Sequence, residues 1–118
     1  MTILLIEDEP AVRRMLNLLL KKGGFEVLQA TSGEEACEMY RANPEIRLVI
    51  SNASLPGMDG PATIARLRQI NPQLRFCFVT GEVTREVLEC GAARIFQKPF
   101  SPHEFMNTVR ELVVEAAE

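Results

Sequence analysis

Short apolar runs alternate along the chain with longer segments in which apolar residues recur every three or four positions. Runs of this kind predict buried strands, and the wider spacing predicts helices that bury one face. Five strands are predicted, at residues 3–6, 25–28, 48–50, 76–79 and 95–96. Most are apolar at consecutive positions, which is typical of a parallel sheet covered by helices on both faces.

The segments between and after these runs predict five helices. Ser32 is followed by Glu35, and Ser101 by Glu104, which is the spacing at which a hydroxyl and a carboxylate cap each other's backbone amides at a helix start. The first helix begins at Pro10 and ends at a glycine pair, the third begins at Pro61, and a short fourth covers residues 82–89. The apolar face of the first helix is predicted to hold Val12, Met15, Leu16 and Leu19.

Strand and helix therefore alternate five times, with short connections and no internal linker. Right-handed crossovers place the helices on both faces of one parallel sheet, giving an α/β, (βα)5 doubly wound fold in a single domain over residues 1–118. In open sheets of this kind, ligands bind beyond the carboxyl ends of the strands. Candidate chemistry is therefore expected at that edge of the sheet.

Composition narrows the class of partner. Of the 118 residues, 47% are hydrophobic, and the net charge is -3, which argues against binding to nucleic acid or to an anionic membrane surface. The three cysteines lack metal-ligand spacing, and no apolar stretch approaches the roughly 20 residues that cross a bilayer. We expect a soluble, reduced, cytoplasmic protein that binds folded partners, with any further domain downstream of Glu118.

Polar side chains follow four of the predicted strands. Glu7 and Asp8 follow the first, Asn52 the third, Thr80 the fourth and Lys98 the fifth. Paired carboxylates suit Mg²⁺, which prefers oxygen ligands, and a hydroxyl with an ammonium suits the oxygens of a phosphoryl group. Singly, each has a plainer interpretation: Asp8 as a partner of a helix dipole, Thr80 as a hydroxyl bonded to backbone, Lys98 as a solvated charge.

These residues, together with Leu55-Pro56-Gly57-Met58-Asp59-Gly60 and Lys98-Pro99-Phe100, resemble a bacterial two-component response-regulator receiver domain over essentially the whole chain. The resemblance implies a CheY-like, flavodoxin-like sheet in the order 2-1-3-4-5 and a cis peptide before Pro99. It also implies Mg²⁺ at Glu7, Asp8 and Asn52, and phosphoryl transfer from a histidine kinase or phosphotransfer protein to this domain, which then acts on a downstream output protein or domain.

Position 52 departs from the family pattern. The family's phosphoryl acceptor is an aspartate four residues before Pro56, and here that residue is Asn52. A neutral amide has neither the charge nor a stable acyl-phosphate product, so phosphorylation is expected to be disabled. Glu7, Asp8 and Lys98 then carry a net charge of -1, whereas an aspartate at position 52 would make it -2, so Mg²⁺ should bind weakly. Without that aspartate as a partner, Lys98 should lean toward Glu7, Asp8 or the Asn52 carbonyl. Both a natural loss of the acceptor and an engineered acceptor-to-amide change fit this residue.

Two more departures concern signalling. The family usually has an aromatic residue three positions before the lysine, where this chain has Ile95 followed by Phe96. The interval from Thr80 to Lys98 is shorter than usual by about one helical turn, which predicts a clipped fourth helix.

The main prediction is a non-enzymatic receiver module of a two-component system or phosphorelay that works through protein–protein interaction. The rival is a Mg²⁺-dependent phosphotransfer or phosphatase activity with another nucleophile. It is disfavoured because Asp59 is better placed to start a helix, and because Ser51 and Ser54 point away from the site on a strand. Cofactor binding of the flavodoxin type is disfavoured because no phosphate-cradling loop follows the first strand. His103, the only histidine, is predicted to lie on the surface.

Overall fold

A computed structural model of the chain describes residues 1–117, in which strands and helices alternate. Their bounds are β1 Thr2–Ile6, α1 Pro10–Lys22, β2 Glu26–Ala30, α2 Gly33–Ala42, β3 Ile46–Asn52, α3 Gly60–Ile70, β4 Phe76–Thr80, α4 Arg85–Glu89, β5 Arg94–Gln97 and α5 Pro102–Ala117. All five strands lie in one parallel sheet in the order β2-β1-β3-β4-β5. The predicted fold class and strand order are confirmed.

Alternate residues of the inner strands enter two separate cores. On one face, Leu4 and Ile6 of β1 pack with α2 and α3, and we call this the α2/α3 core. On the other face, Ile3 and Leu5 pack with α1 and α5, forming the α1/α5 core. Because neighbouring strand residues point to opposite faces, a strand must be apolar at successive positions to fill both cores.

The expectation that helices cover both faces of the sheet does not hold at the edge strands. β1 and β4 are buried at every position, whereas β2 and β5 each expose two residues. An edge strand has a neighbour on one side only, so helix coverage is incomplete there. Four strands contain their predicted apolar run and extend beyond it, whereas the run at 25–28 begins one residue before β2 and ends two residues short of it.

The predicted capping pair of α2 is half correct. The Ser32 hydroxyl accepts a hydrogen bond from the Glu35 amide at 3.2 Å, as expected. The Glu35 carboxylate, however, accepts the amide of Thr31 at 2.9 Å instead of the Ser32 amide. At α5, the Ser101 hydroxyl accepts the Glu104 amide at 3.2 Å.

Two predictions about the helices are wrong. α4 begins at Arg85, three residues after the predicted start at Glu82, because the Thr84 hydroxyl caps it by accepting the Val87 amide at 3.2 Å. Its brevity agrees with the clipped helix expected. Met15 is 48% exposed and lies outside the buried face of α1, which is formed by Leu16 and Leu20.

Strand order determines which loops meet. β1 lies beside β3, β3 beside β4 and β4 beside β5, so the residues that follow these four strands share one edge of the sheet. Among the helices of residues 1–117, none combines the length and apolar character needed to cross a bilayer.

Candidate functional site

Glu7 is the buried centre of the site. It follows β1 directly, is 1% exposed, and its backbone amide continues the sheet by donating to the Ala30 carbonyl at 3.0 Å. Its carboxylate accepts the Glu9 amide at 3.1 Å. A buried carboxylate needs such donors, because leaving water without them is costly.

Asn52, the last residue of β3, supplies the main side-chain contact to Glu7. Its Nδ2 lies 3.2 Å from Oε1 and 3.1 Å from Oε2 of Glu7. Its Oδ1 accepts the Ser54 amide at 3.0 Å. This orientation is chemically determined, since a carboxylate only accepts and a backbone amide only donates. The side chain therefore links β1 to the loop that follows β3.

Lys98 completes the group on the β5 side. Its Nζ lies 3.9 Å from Oε1 of Glu7, and its side chain is 32% exposed. Its backbone amide donates to the Thr80 carbonyl at 2.8 Å, which fixes the loop after β5 to the end of β4. Lys98 thus leans toward Glu7, one of the three partners predicted, and the Lys98–Pro99 peptide is cis, as the resemblance implied.

Asp8 lies at the mouth of the site with its side chain exposed. Arg13 reaches back from α1, and its Nη1 donates to the carbonyls of Glu7 at 3.0 Å and Asp8 at 3.5 Å. Sequence reasoning missed Arg13. The signal was helical spacing, because Arg13 lies one turn after Glu9 and its amide bonds to the Glu9 carbonyl at 2.9 Å.

The Thr80 hydroxyl is directed to its own loop. It is 4% exposed, donates to the Glu82 carbonyl at 2.8 Å and accepts the Glu82 amide at 3.2 Å. This is the plainer of the two interpretations weighed for this residue. Thr80 lies at the predicted edge of the sheet, but its hydroxyl forms no hydrogen bond to Asn52 or Lys98 within residues 1–117.

Asp59 and Ser51 occupy structural positions, whereas the placement of Ser54 on a strand was wrong, because β3 ends at Asn52 and Ser54 lies exposed in the loop that follows. Oδ1 of Asp59 accepts the Ala62 amide at 2.9 Å and caps α3, which confirms the helix-start role. Ser51 is fully buried, and its hydroxyl donates to the backbone carbonyl of Asn52 at 2.9 Å. By strand alternation Ser51 faces the α2/α3 side, opposite to the Asn52 side chain.

Ile95 and Phe96 point to different cores. Ile95 packs against the α2/α3 core, whereas Phe96 belongs to the α1/α5 core. The ring centroid of Phe96 lies 4.8 Å from that of Phe105 and 5.8 Å from that of Phe100. Phe96 therefore does not stand in for an aromatic residue at position 95.

The cysteines and the histidine lie away from these contacts. Cys77 is fully buried in β4, and burial raises the pKa of its thiol to about 12. Burial also raises the pKa of the Cys37 and Cys90 thiols. His103 is exposed, as predicted, and contacts Asn107.

The donor types suit Mg²⁺, but their arrangement does not present them to a cation. The Glu7 oxygens accept N–H groups from Glu9 and Asn52, and the oxygen of Asn52 is bonded to the Ser54 amide. In the described part of the chain, no three His, Cys, Asp or Glu side chains form a group that could hold a metal ion.

Comparison with known proteins identifies the family. Residues 3–110 match the response regulator receiver domain family. The chain is 36% identical over 117 residues to sensor kinase CckA of Brucella abortus, covering 95% of this chain and 12% of that protein. It is 35% identical over 115 residues to the transcriptional regulatory protein SrrA of Staphylococcus aureus, covering 94% of this chain and 47% of that protein.

A solved structure supports the same family. The receiver domain of the hybrid histidine kinase CckA superposes with a TM-score of 0.82 at 32% identity, covering 96% of this chain and 99% of that domain. The chain thus spans a minor part of the two curated relatives and nearly all of the isolated receiver domain. Its fold, its sheet order and this match over residues 3–110 agree, and the chain belongs to the response regulator receiver domain family of two-component signalling.

Proposed function

We propose that residues 1–118 form a single receiver domain that signals by binding other proteins and whose covalent switching is disabled at Asn52. The observation that carries the proposal is the position of this amide. Asn52 ends β3 beside Glu7, Lys98 Nζ lies 3.9 Å from the same Glu7 carboxylate, and the resemblance to the family assigns its acceptor aspartate to this position. In phosphoryl transfer to a receiver, a carboxylate oxygen attacks phosphorus, and an amide cannot form the corresponding stable acyl phosphate.

The neighbouring groups do not supply a substitute nucleophile. The Asp59 carboxylate caps α3, and the buried hydroxyl of Ser51 donates to a backbone carbonyl. A hydroxyl nucleophile also needs a base within hydrogen-bond reach, and the Ser51 hydroxyl contacts none in the described part of the chain. These contacts favour a non-enzymatic module over a phosphotransfer or phosphatase activity.

Receiver domains generally bind Mg²⁺ at the acceptor site. In this chain Glu7, Asp8 and Asn52 would be its ligands, and when bound the cation would neutralise negative charge at the end of β1. Binding is proposed to be weak, because the Asn52 amide must first give up its contacts to Glu7 and because position 52 lacks a charge. Thr80 and Lys98 take the places of the family's hydroxyl and ammonium.

The partners proposed are a histidine kinase or phosphotransfer protein and a downstream output protein or domain. The matches to a sensor kinase and to a transcriptional regulator, each longer than this chain, support them. The net charge of -3 argues against direct nucleic-acid contact or membrane binding by this domain, and a cytoplasmic location is proposed.

Intact-mass measurement after incubation with Mg²⁺ and a small acyl-phosphate donor tests the proposal. The unaltered protein should give no stable phosphoryl adduct, and Asn52→Asp should give one. An adduct on the unaltered chain would overturn the proposal, because the nucleophile would lie elsewhere. Absence of an adduct on the Asn52→Asp variant would contradict the assignment of position 52 as the acceptor position.

A further inference from the structure

A second cleft lies at the other end of the sheet from Glu7 and Asn52. It has a volume of about 750 Å³ and is lined by residues near the amino ends of β1, β3 and β4 and by the last turn of α5. Clefts of roughly 300–1,000 Å³ are the size that holds small molecules in proteins. The polar side chains that line this cleft determine which chemistry it can recognise.

Arg75 supplies a charged wall of the cleft. It directly precedes β4, and its backbone carbonyl accepts the Val49 amide at 3.1 Å, which fixes the residue to the sheet. Its Nη2 contacts Oε2 of Glu115, from α5. Its Nε, by contrast, is buried and has no acceptor in the described part of the chain. A buried donor without an acceptor is costly, so this guanidinium is only partly satisfied by the protein itself.

Tyr40 offers a second donor at the cleft. Nδ2 of Asn71 donates to the Tyr40 hydroxyl at 2.9 Å, while Oδ1 of Asn71 accepts the Gln73 amide at 3.0 Å. Because a backbone amide only donates, the orientation of Asn71 is determined, and the Tyr40 oxygen is the acceptor. The Tyr40 hydroxyl donates to no group within residues 1–117. Since Tyr40 lines the cleft, its proton can be donated to a molecule bound there.

We propose that this cleft binds a small molecule that carries a carboxylate or phosphate group, and that Glu115 occupies the position of that group when no ligand is bound. An oxyanion held side-on accepts from Nε and an Nη of one guanidinium at once. Glu115 contacts Nη2 of Arg75 and leaves Nε without an acceptor. A side-on oxyanion would satisfy both donors.

Displacement of Glu115 is feasible because its ion pair with Arg75 is partly exposed. The two side chains are 55% and 38% exposed, and exposed ion pairs contribute little to stability. Arg47 and Glu45 also line the cleft, and both are exposed. Without Glu115, two arginines face a single carboxylate, which favours an anion. Ligand binding would therefore release the last turn of α5 from the start of β4.

The test is an NMR titration of the isotope-labelled protein with inorganic phosphate and, separately, with citrate, at fixed ionic strength. Amide signals of Gln73, Arg75 and the last turn of α5 should shift in a saturable manner. Signals around Lys98 report any binding at the other end of the sheet. Saturable shifts at the cleft with either probe support the proposal, and the tighter probe shows whether the group is a phosphate or a carboxylate.

Glu115→Gln tests the competition directly. It removes the competing carboxylate and should bind the tighter probe at least about fivefold more tightly than the unaltered protein. Glu111→Gln is the matched control, because Glu111 lies exposed one turn earlier on α5 and forms no ion pair within residues 1–117. It removes the same charge and should leave the affinity within about twofold.

Two further variants remove the donors. Arg75→Lys keeps the charge but loses the planar fork, so the probe should bind at least about tenfold more weakly. Tyr40→Phe keeps the ring, and the probe should bind about threefold more weakly. The dispersed amide spectrum of each variant shows whether it is folded, and Arg75→Lys, which keeps the ion pair with Glu115, serves where Arg75→Gln does not fold.

Three outcomes would overturn the proposal: no shift at the cleft with either probe up to tens of millimolar, a Glu115→Gln variant that binds no more tightly than Glu111→Gln, or an Arg75→Lys variant that binds as tightly as the unaltered protein. None of these results depends on the function proposed for Asn52, because the two sites lie at opposite ends of the sheet.

Discussion

Gly60 packs directly on the backbone of Ala53, and its amide donates to the Ala53 carbonyl at 3.0 Å. This contact closes the loop that follows Asn52 onto the start of α3. A Cβ at position 60 would lie 2.7 Å from the Ala53 Cα and 2.7 Å from the Asn52 carbonyl oxygen. Both neighbours are backbone atoms that cannot move without shifting the end of β3.

We expect Gly60→Ala to lower the free energy of unfolding by about 1–3 kcal/mol, because the loop must open to admit the methyl group. Urea unfolding followed by circular dichroism measures this change. Gly81→Ala is the control, since a Cβ there has nothing within 4 Å, and its effect should stay within roughly 0.5 kcal/mol. Equal stability of the two variants would show that the tight approach is not required.

The Thr80 hydroxyl should matter for stability even without phosphoryl chemistry. It both donates to and accepts from the backbone of Glu82. Thr80→Val keeps the shape but leaves these groups unpaired in a part-buried loop, so a loss of about 1–2 kcal/mol is expected. Thr80→Ser retains the hydroxyl and should lose less. Chemical denaturation of both variants checks the order, and a Val variant as stable as the Ser variant would refute it.

Mg²⁺ affinity should depend on the charge at position 52. Asn52→Asp adds a full negative charge beside Glu7, so it should bind Mg²⁺ at least about tenfold more tightly than the unaltered protein. Isothermal titration calorimetry at fixed ionic strength measures both affinities. Equal values would contradict the charge argument for weak binding.

Stability should fall at alkaline pH because of Cys77. Burial raises the pKa of this thiol from the ordinary value of 9.0 to about 12 in the folded protein. Above pH 9 the unfolded chain loses the thiol proton while the folded protein keeps it, so the unfolded state is favoured. The contribution of Cys77 to stability is complete below pH 9 and is lost as pH rises toward 12.

Comparing the unaltered protein with Cys77→Ala isolates this effect from other groups that titrate at high pH. The variant loses stability at every pH because it leaves a cavity. Between pH 9 and pH 11, however, its free energy of unfolding should fall less steeply with pH, by up to roughly 1.4 kcal/mol per pH unit, which corresponds to one proton. Parallel curves would exclude Cys77 as the cause.

The sequence predicted the fold well because two independent patterns agree. Consecutive apolar residues marked the strands, and serine caps marked the starts of α2 and α5. The exposure of β2 was not predicted, although Glu26 sets the run at 25–28 apart from the wholly apolar inner runs and is one of the two residues that β2 exposes. The start of α4 was missed because it depends on the Thr84 cap and on hydrogen bonds between Thr80 and Glu82.

At the site, the sequence predicted which residues lie together at one edge of the sheet, but it did not predict the contacts between them. The parallel sheet by itself brings Glu7, Asn52 and Lys98 together, so their proximity could be predicted from strand ends. The two-sided bonding of Asn52 could not, because it depends on the path of the loop to Ser54. The direction of the Thr80 hydroxyl likewise depends on a short local turn.

Ile95 and Phe96 face opposite sides of the sheet. This limits how the domain could acquire an aromatic side chain that faces α4 and moves on activation. A ring on β5 changes sides of the sheet with each step along the strand, so no rotation of the Phe96 side chain carries it across. An aromatic side chain facing α4 therefore requires a substitution at position 95 itself. Inserting or deleting a residue within β5 would turn the ring over, but it would also displace Lys98 from the end of the sheet.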